Sequence, residues 1–333
     1  MSSLRISISS ILLLHYLSFV LSSGFLSVGD WGSASLGGYH YRNAFETSTA
    51  MKSYTTADFV LNTGDNFYYC GIQNTSDPQI DEDYLDLFGT MKMDWYNSLG
   101  NHDYGFSPES QIILNTTIPN WIMDDRYYHR KVMLNNSLLI NIIVLDTNPC
   151  ISDYRGTDRR LWDPCGIEYP DCSPIPEPCR FHENIIAQDC NSQLVWANRT
   201  LNEINDGEWV FVVGHHKAEE IDVVDFQTTI FDNPRVHLYL NGHNHNLEYY
   251  EINGQAKYMT TGAGGMVIIG ETHIHTHKSA AHTHTNTPQI KSIWSKVVTG
   301  FASHTFMNDG NSLLTEFWDV KKNESIYSFE IKL

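Results

Sequence analysis

The apolar residues of this chain fall into short unbroken runs. Phe25–Val28, Phe59–Leu61, Trp95–Leu99, Leu138–Leu145, Trp209–Val213 and Val236–Leu240 are each of strand length. Runs of this size without strict alternation predict strands covered on both faces. Amphipathic segments lie between them. In Ser192–Ile204, the residues Leu194, Ala197, Leu201 and Ile204 share one helical face. Strand and helix signals taken in turn predict an α/β core. Near the end the pattern changes to alternation. Thr315–Val320 and Ser325–Ile331 read as a hairpin with Lys321-Lys322-Asn323-Glu324 as its turn. No internal repeat is visible.

The segments just past most of these runs carry metal-binding side chains. They read Gly29-Asp30-Trp31-Gly32, Gly64-Asp65-Asn66-Phe67-Tyr68, Gly100-Asn101-His102-Asp103, Gly214-His215-His216 and Gly242-His243-Asn244-His245. Ligands of open α/β sheets gather past strand C-terminal ends, where these segments sit. A glycine before each is expected to let the backbone turn sharply. Singly, each has a bland reading: Asp30 as a turn residue, Tyr68 as a core aromatic, His243 and His245 as structural histidines. Together they bring carboxylate, phenolate and imidazole donors to one place, the donor set of a two-metal site. Such sites hydrolyse phosphate esters.

Size and composition suit one large domain, 24–333, with a full core. The net charge of -18 excludes a nucleic-acid-binding face, which must be positive. It does not exclude a phosphate substrate, because buried metals set their own local field. Residues 1–23 read as a signal peptide: Arg5, then Ile11–Leu14 through Phe19–Leu21, then Ser22-Ser23-Gly24. The apolar stretch is short and broken by Ser and His, so no stable membrane anchor is expected, and the C-terminus carries no lipid-anchor or retention signal. Sequons at Asn74, Asn115, Asn135, Asn198 and Asn323 are glycosylation candidates. Of the six cysteines, Cys150, Cys165, Cys172, Cys179 and Cys190 crowd a Pro-rich stretch, 150–190, and Cys70 stands apart. No Cys-x-x-Cys pair is present, so this reads as a disulfide-held loop insert and not a zinc knuckle; the pairing stays open.

These motifs, with Leu145-Asp146-Thr147 and Gly262-Ala263-Gly264, resemble the purple acid phosphatases within the calcineurin-like metallophosphoesterase superfamily. The likeness is to the small tartrate-resistant (type 5) animal form and runs from about Phe25 to the C-terminus; the Tyr after Gly-Asp-Asn-Phe marks the family. The resemblance implies two packed mixed β-sheets flanked by helices, a four-layer αββα sandwich. It implies Asp30, Tyr68 and His245 on Fe(III), Asn101, His215 and His243 on a divalent ion (Fe(II), Zn or Mn), and Asp65 bridging. Hard ferric iron suits the anionic oxygens, and the divalent ion suits imidazole and amide. The two ions less three ligand charges leave roughly +2, enough to hold a phosphate anion. Ferric iron keeps hydroxide available as nucleophile in acid, and tyrosinate-to-iron charge transfer gives the purple colour. His102 is implied to contact the phosphate and to assist the leaving group.

Two departures stand out. The small animal enzymes have a second active-site histidine about nine residues past His215, where this chain has Val224. His216 is a candidate substitute, and Asp103 a candidate to tune His102 or touch substrate. The relatives' partner for Cys150, after the histidine segment, is also missing, so Cys150 must pair within the insert or with Cys70. The loop 271–288 carries His273, His275, His277, His282 and His284. It reads as a solvated loop, a copper or zinc site, or a rim that turns positive below about pH 6.5. The expectation is a monomeric, secreted or lysosomal/vacuolar acid phosphatase acting on small phosphate monoesters or phosphoproteins. The rivals are a phosphodiesterase or nucleotide pyrophosphatase on the same site, and a catalytically silent secreted metal-binding protein.

Overall fold

The expected strands form, and others join them in two mixed sheets. The computed structural model describes residues 23–135, 137–156, 163–165, 172, 179–267 and 289–333. Residues 1–22, much of the 150–190 insert and the whole histidine run lie outside the described residues. In chain order the strands are β1 Gly24–Val28, β2 Ala57–Asn62, β3 Asp94–Asn97, β4 Trp121–Ile122, β5 Tyr128–Leu134, β6 Leu138–Val144 and β7 Trp209–Val213. There follow β8 Leu238–Asn241, β9 Leu247–Ile252, β10 Gln255–Thr261, β11 Ile290–Lys296, β12 Gly300–Met307, β13 Ser312–Asp319 and β14 Glu324–Lys332.

The first sheet has the order β14-β13-β12-β1-β2-β3-β4 and the second β11-β9-β10-β8-β7-β6-β5. In the first, β1 through β4 run parallel, and β12, β13 and β14 are antiparallel additions. In the second, β6, β7, β8 and β10 run parallel, with β5, β9 and β11 antiparallel at the flanks. The sheets pack face to face through aromatics. Phe25 of β1 stacks on Phe59 of β2 and meets Phe211 of β7, with centroids 5.0 Å apart in each case. Along the matching edge, Tyr249 of β9 stacks on Phe329 of β14 at 3.7 Å and Trp294 of β11 on Tyr327 at 4.8 Å.

Helices close the outer faces. The helix Gly38–Lys52 buries Ala44, Thr47 and Met51 and donates from Asn43 Nδ2 to the carbonyls of Gly265 and Val267. The helix Cys190–Glu203 starts on Asp189, whose carboxylate accepts from the amides of Asn191 and Ser192 and supplies a cap. It buries Leu194, Ala197 and Leu201, the expected face. Its Gln193 holds the end of β6, accepting from the Asp146 amide at 2.7 Å and donating to the Asp146 carbonyl at 2.8 Å. The open question of the Cys150 partner resolves within the insert, as Cys150–Cys190; Cys165 pairs with Cys179, and Cys70 pairs with Cys172.

Candidate metal centre

β1, β2 and β3 of the first sheet and β7 and β8 of the second all deliver their C-terminal ends to one place. Asp30, Asp65 and Asn101 come from one side, and His215, His243 and His245 from the other. The turns are sharper than the glycines alone explain. Asp30, Asp65 and His243 themselves have left-handed backbones, with φ of 55°, 54° and 66°. Such non-glycine conformations cost on the order of 1 kcal/mol or more each and collect at functional sites. Of the five preceding glycines, only Gly64 has positive φ, at 92°. The expected role of glycine as the turning residue is therefore corrected at the other four, where it makes room. A Cβ on Gly100 would collide with the Asp65 carboxylate, and one on Gly242 with that of Asp30.

The side chains form two groups joined by Asp65. In the first, the Tyr68 hydroxyl lies 2.9 Å from both Asp30 Oδ1 and Asp65 Oδ2, and 3.3 Å from His245 Nε2. In the second, Asn101 Oδ1 lies 3.2 Å from His215 Nε2 and 3.0 Å from His243 Nδ1. Asp65 Oδ2 also stands 3.3 Å from His215 Nε2. Asp30, Asp65, Tyr68, Asn101, His215 and His243 are buried, while His245 keeps 17% of its side chain exposed.

His102 sits beside the junction. Its amide donates to Asp65 Oδ1 at 2.9 Å, its Nδ1 lies 2.6 Å from the Tyr69 carbonyl, and its ring packs 4.5 Å from that of Tyr68. Asp103 faces the other way. It is fully buried, and its carboxylate accepts from the amides of Gly100, Asn66 and Phe67 and from Gln111 Nε2. It braces the two turns that carry Asp65 and Asn101, which is not the placement of a substrate contact. His216 is also fully buried, with Nδ1 2.7 Å from Thr147 Oγ1 and Nε2 2.8 Å from the Tyr154 hydroxyl. One of its nitrogens falls within 4.8 Å of a nitrogen of His215 and one of His243. Both of its own nitrogens are nonetheless engaged by hydroxyls, so its place is under the site, as support. Val224, where relatives carry their second histidine, is 69% exposed.

Two further supports stand outside the ligand segments. Thr147 Oγ1 accepts from the amides of His215 and His216 and so fixes that turn. Glu220 is buried, its Oε2 accepts from the Lys217 amide at 2.8 Å, and its Oε1 stands 3.5 Å from His243 Nε2. Burial pushes its carboxyl up to about 8.

Electrostatics and donor chemistry fit metal ions. Burial favours a neutral Asp65, but His215 and His102 beside it outweigh that and hold its carboxyl below the usual range. His215 is the converse: burial lowers it, Asp65 and then Asp30 raise it, and the result is about 10. Burial, with Asp30 and Asp65 close by, pushes the Tyr68 phenol well up. Two buried carboxylates around one point repel unless cations balance them, and the phenol that donates to both can give up its proton only when such cations are bound. The oxygens and imidazoles present are those that transition metals take.

The chain is similar to known proteins. A family model described as calcineurin-like phosphoesterase matches residues 25–247. Purple acid phosphatase 7 of Arabidopsis thaliana is 27% identical over 258 residues, covering 75% of this chain and 72% of that protein. Tartrate-resistant acid phosphatase type 5 of Homo sapiens is 28% identical over 266 residues, covering 75% of each. Among solved structures, GAP50, the anchor in the inner membrane complex of Plasmodium, superposes with a TM-score of 0.62 at 22% identity, covering 94% of this chain and 89% of that one. Purple acid phosphatase PPD1 from yellow lupin gives 0.57 at 14% identity, covering 93% and 54%. The structural likenesses speak for the fold, and the matched family model and the curated relatives go further: this chain belongs to the calcineurin-like phosphoesterase family.

Proposed function

We propose that the protein is an acid phosphatase that hydrolyses phosphate monoesters at a dinuclear Fe(III)–divalent metal centre. The observation that carries this is the Tyr68 hydroxyl set between Asp30 and Asp65, with Asn101, His215 and His243 gathered on the far side of Asp65. Asp30, Tyr68 and His245 would hold the ferric ion, Asn101, His215 and His243 the divalent one, and Asp65 both. Once bound, the ions would supply Lewis acidity and a strong nucleophile from water at acid pH. His102 would assist the departing alkoxide. Its Nδ1 is fixed on the Tyr69 carbonyl, which sets the ring's tilt and makes Nε2 the nitrogen for proton transfer. Burial lowers the pKa of His102 against the pull of Asp65. The substrates would be small phosphate esters or phosphoproteins, and the working form a monomer.

The three disulfides suit an oxidising compartment. No described helix is long and apolar enough to cross a membrane. The reading is of a protein secreted or sent to a lysosome or vacuole through residues 1–23. Asn74, Asn135, Asn198 and Asn323 are exposed and Asn115 half-buried, and glycans are proposed there.

Metal analysis together with a visible spectrum and turnover of an aryl phosphate tests the proposal. Iron and a second metal in about equal amount, a tyrosinate band lost in Tyr68→Phe, and monoester hydrolysis in acid are expected. A colourless protein that takes up neither metal would refute the centre. Preferential diester cleavage would move the function to a phosphodiesterase. A metal-loaded protein with no turnover would make it a silent metal binder.

A further inference from the structure

We propose that Glu220 is the positioning residue that holds the His243 ring with Nδ1 turned into the metal centre. The inference rests on the reading of His243 as a metal ligand.

His243 is a difficult side chain to aim. Its backbone is left-handed, and its amide is tied to Asp30 Oδ2 at 3.1 Å. Its Nδ1 faces Asn101 Oδ1 at 3.0 Å and His215 Nε2 at 3.3 Å, so Nδ1 is the atom on the site side. Nε2 points away, towards Glu220 Oε1 at 3.5 Å. An imidazole that ligates through one nitrogen carries its proton on the other, and an acceptor there fixes both tautomer and tilt. Glu220 Oε1 is buried and has no hydrogen-bond partner among the described residues. In either protonation state that oxygen keeps a lone pair to offer.

The neighbouring lysine does not account for this carboxylate. Lys217 Nζ lies 3.2 and 3.0 Å from the two oxygens of Glu248 and sits 4.8 Å over the Tyr250 ring. Its ammonium pairs with Glu248 and Glu219 and acts on Glu220 only through space, while its amide donates to Glu220 at 2.8 Å. That contact anchors Oε2 and leaves Oε1 facing His243. A buried carboxyl with one oxygen idle is a liability to folding, and partnership with a ligand gives it a use.

The test compares Glu220→Met, which keeps volume but removes the acceptor, with Glu220→Gln, which keeps an acceptor oxygen. Each holoprotein is dialysed against a chelator, its metals are counted, and zinc is added back. Zinc affinity in Glu220→Met is expected to fall about 10–100-fold, with the ferric-tyrosinate band unchanged. Glu220→Gln is expected to stay within about threefold of the parent. Parental zinc affinity in Glu220→Met overturns the proposal, as does an equal loss in both variants or joint loss of both metals with a lowered melting temperature. If Glu220→Met does not fold, Glu220→Gln decides alone, and a loss of about tenfold or more overturns the proposal. A parent protein that binds no metal pair refutes the underlying centre instead, and is seen before any variant is made.

Discussion

The two sheets contribute unlike chemistry to one site. The first sheet's strand ends carry Asp30, Asp65 and Asn101, with Tyr68 on the turn after β2, and so supply oxygen. The second sheet's ends carry His215, His243 and His245, and so supply nitrogen. Neither half could hold two metals alone. The centre is a property of how the sheets dock, and Asp65, which touches both groups, is where the halves meet. Hard and borderline donors are segregated by sheet, so damage to one half should be distinguishable from damage to the other.

The harshest break is at the junction. Asp65→Asn should lower aryl phosphatase kcat by about 10³-fold or more, since the group proposed to join both ions loses its charge. A melting curve close to the parent's would show that the sheets remain docked. Next comes the docking itself. Phe211 of β7 meets Phe25 and Phe306 across the interface, with Trp209 beside it on its own strand. Phe211→Ala should cost about 3–5 kcal/mol in denaturant unfolding, with both metals lost together; loss of one alone would contradict the docking argument.

A third prediction concerns acid. His304 of β12 is fully buried between Ser27 Oγ and Thr315 Oγ1, and burial lowers it to about 3. The unfolded chain, with its ordinary value near 6.5, binds this proton first. Stability that His304 contributes is therefore complete above about pH 6.5 and is lost as pH falls towards 3. The loss between pH 7 and 4 should be on the order of 2–3 kcal/mol. His304→Gln should flatten the first sheet's acid sensitivity in urea midpoints measured across that range. An identical slope in the variant would assign the sensitivity elsewhere.

The smallest effect separates two disulfides on the second sheet's side. Cys150–Cys190 spans 40 residues and Cys165–Cys179 spans 14. Loop-closure entropy makes removal of the longer one costlier by about 1 kcal/mol, in paired Cys→Ala variants.

What the sequence disclosed is explained by burial. β1, β2, β6, β7 and β8 lie between layers and are mostly apolar, which made them and the donor segments at their ends readable. β12 was not readable. It mixes Ser303, His304 and Thr305 with Phe301 and Phe306, and its buried Ser303 and His304 find partners on the neighbouring β1 and β13. β9 and β10 likewise gained their place from pairing rather than from pattern. In the site, donor type and order were legible, but direction was not. Asp103 adjoins His102 in sequence and turns its carboxylate into the scaffold, and His216 adjoins a ligand and serves hydroxyls beneath it. Glu220 stands in the polar stretch Lys217–Asp222 with no periodicity or motif to mark it, and only tertiary proximity to His243 singles it out.

The contribution of the second sheet has a consequence for biosynthesis. A ribosome releases Asp30, Asp65 and Tyr68 early, but the imidazoles of His243 and His245 emerge only after most of the chain has been translated. On the proposed reading, a nascent polypeptide therefore exposes only a few acidic and phenolic donors, and the full donor set exists only near completion. Products truncated before His243 would lack two of the three imidazoles of the site.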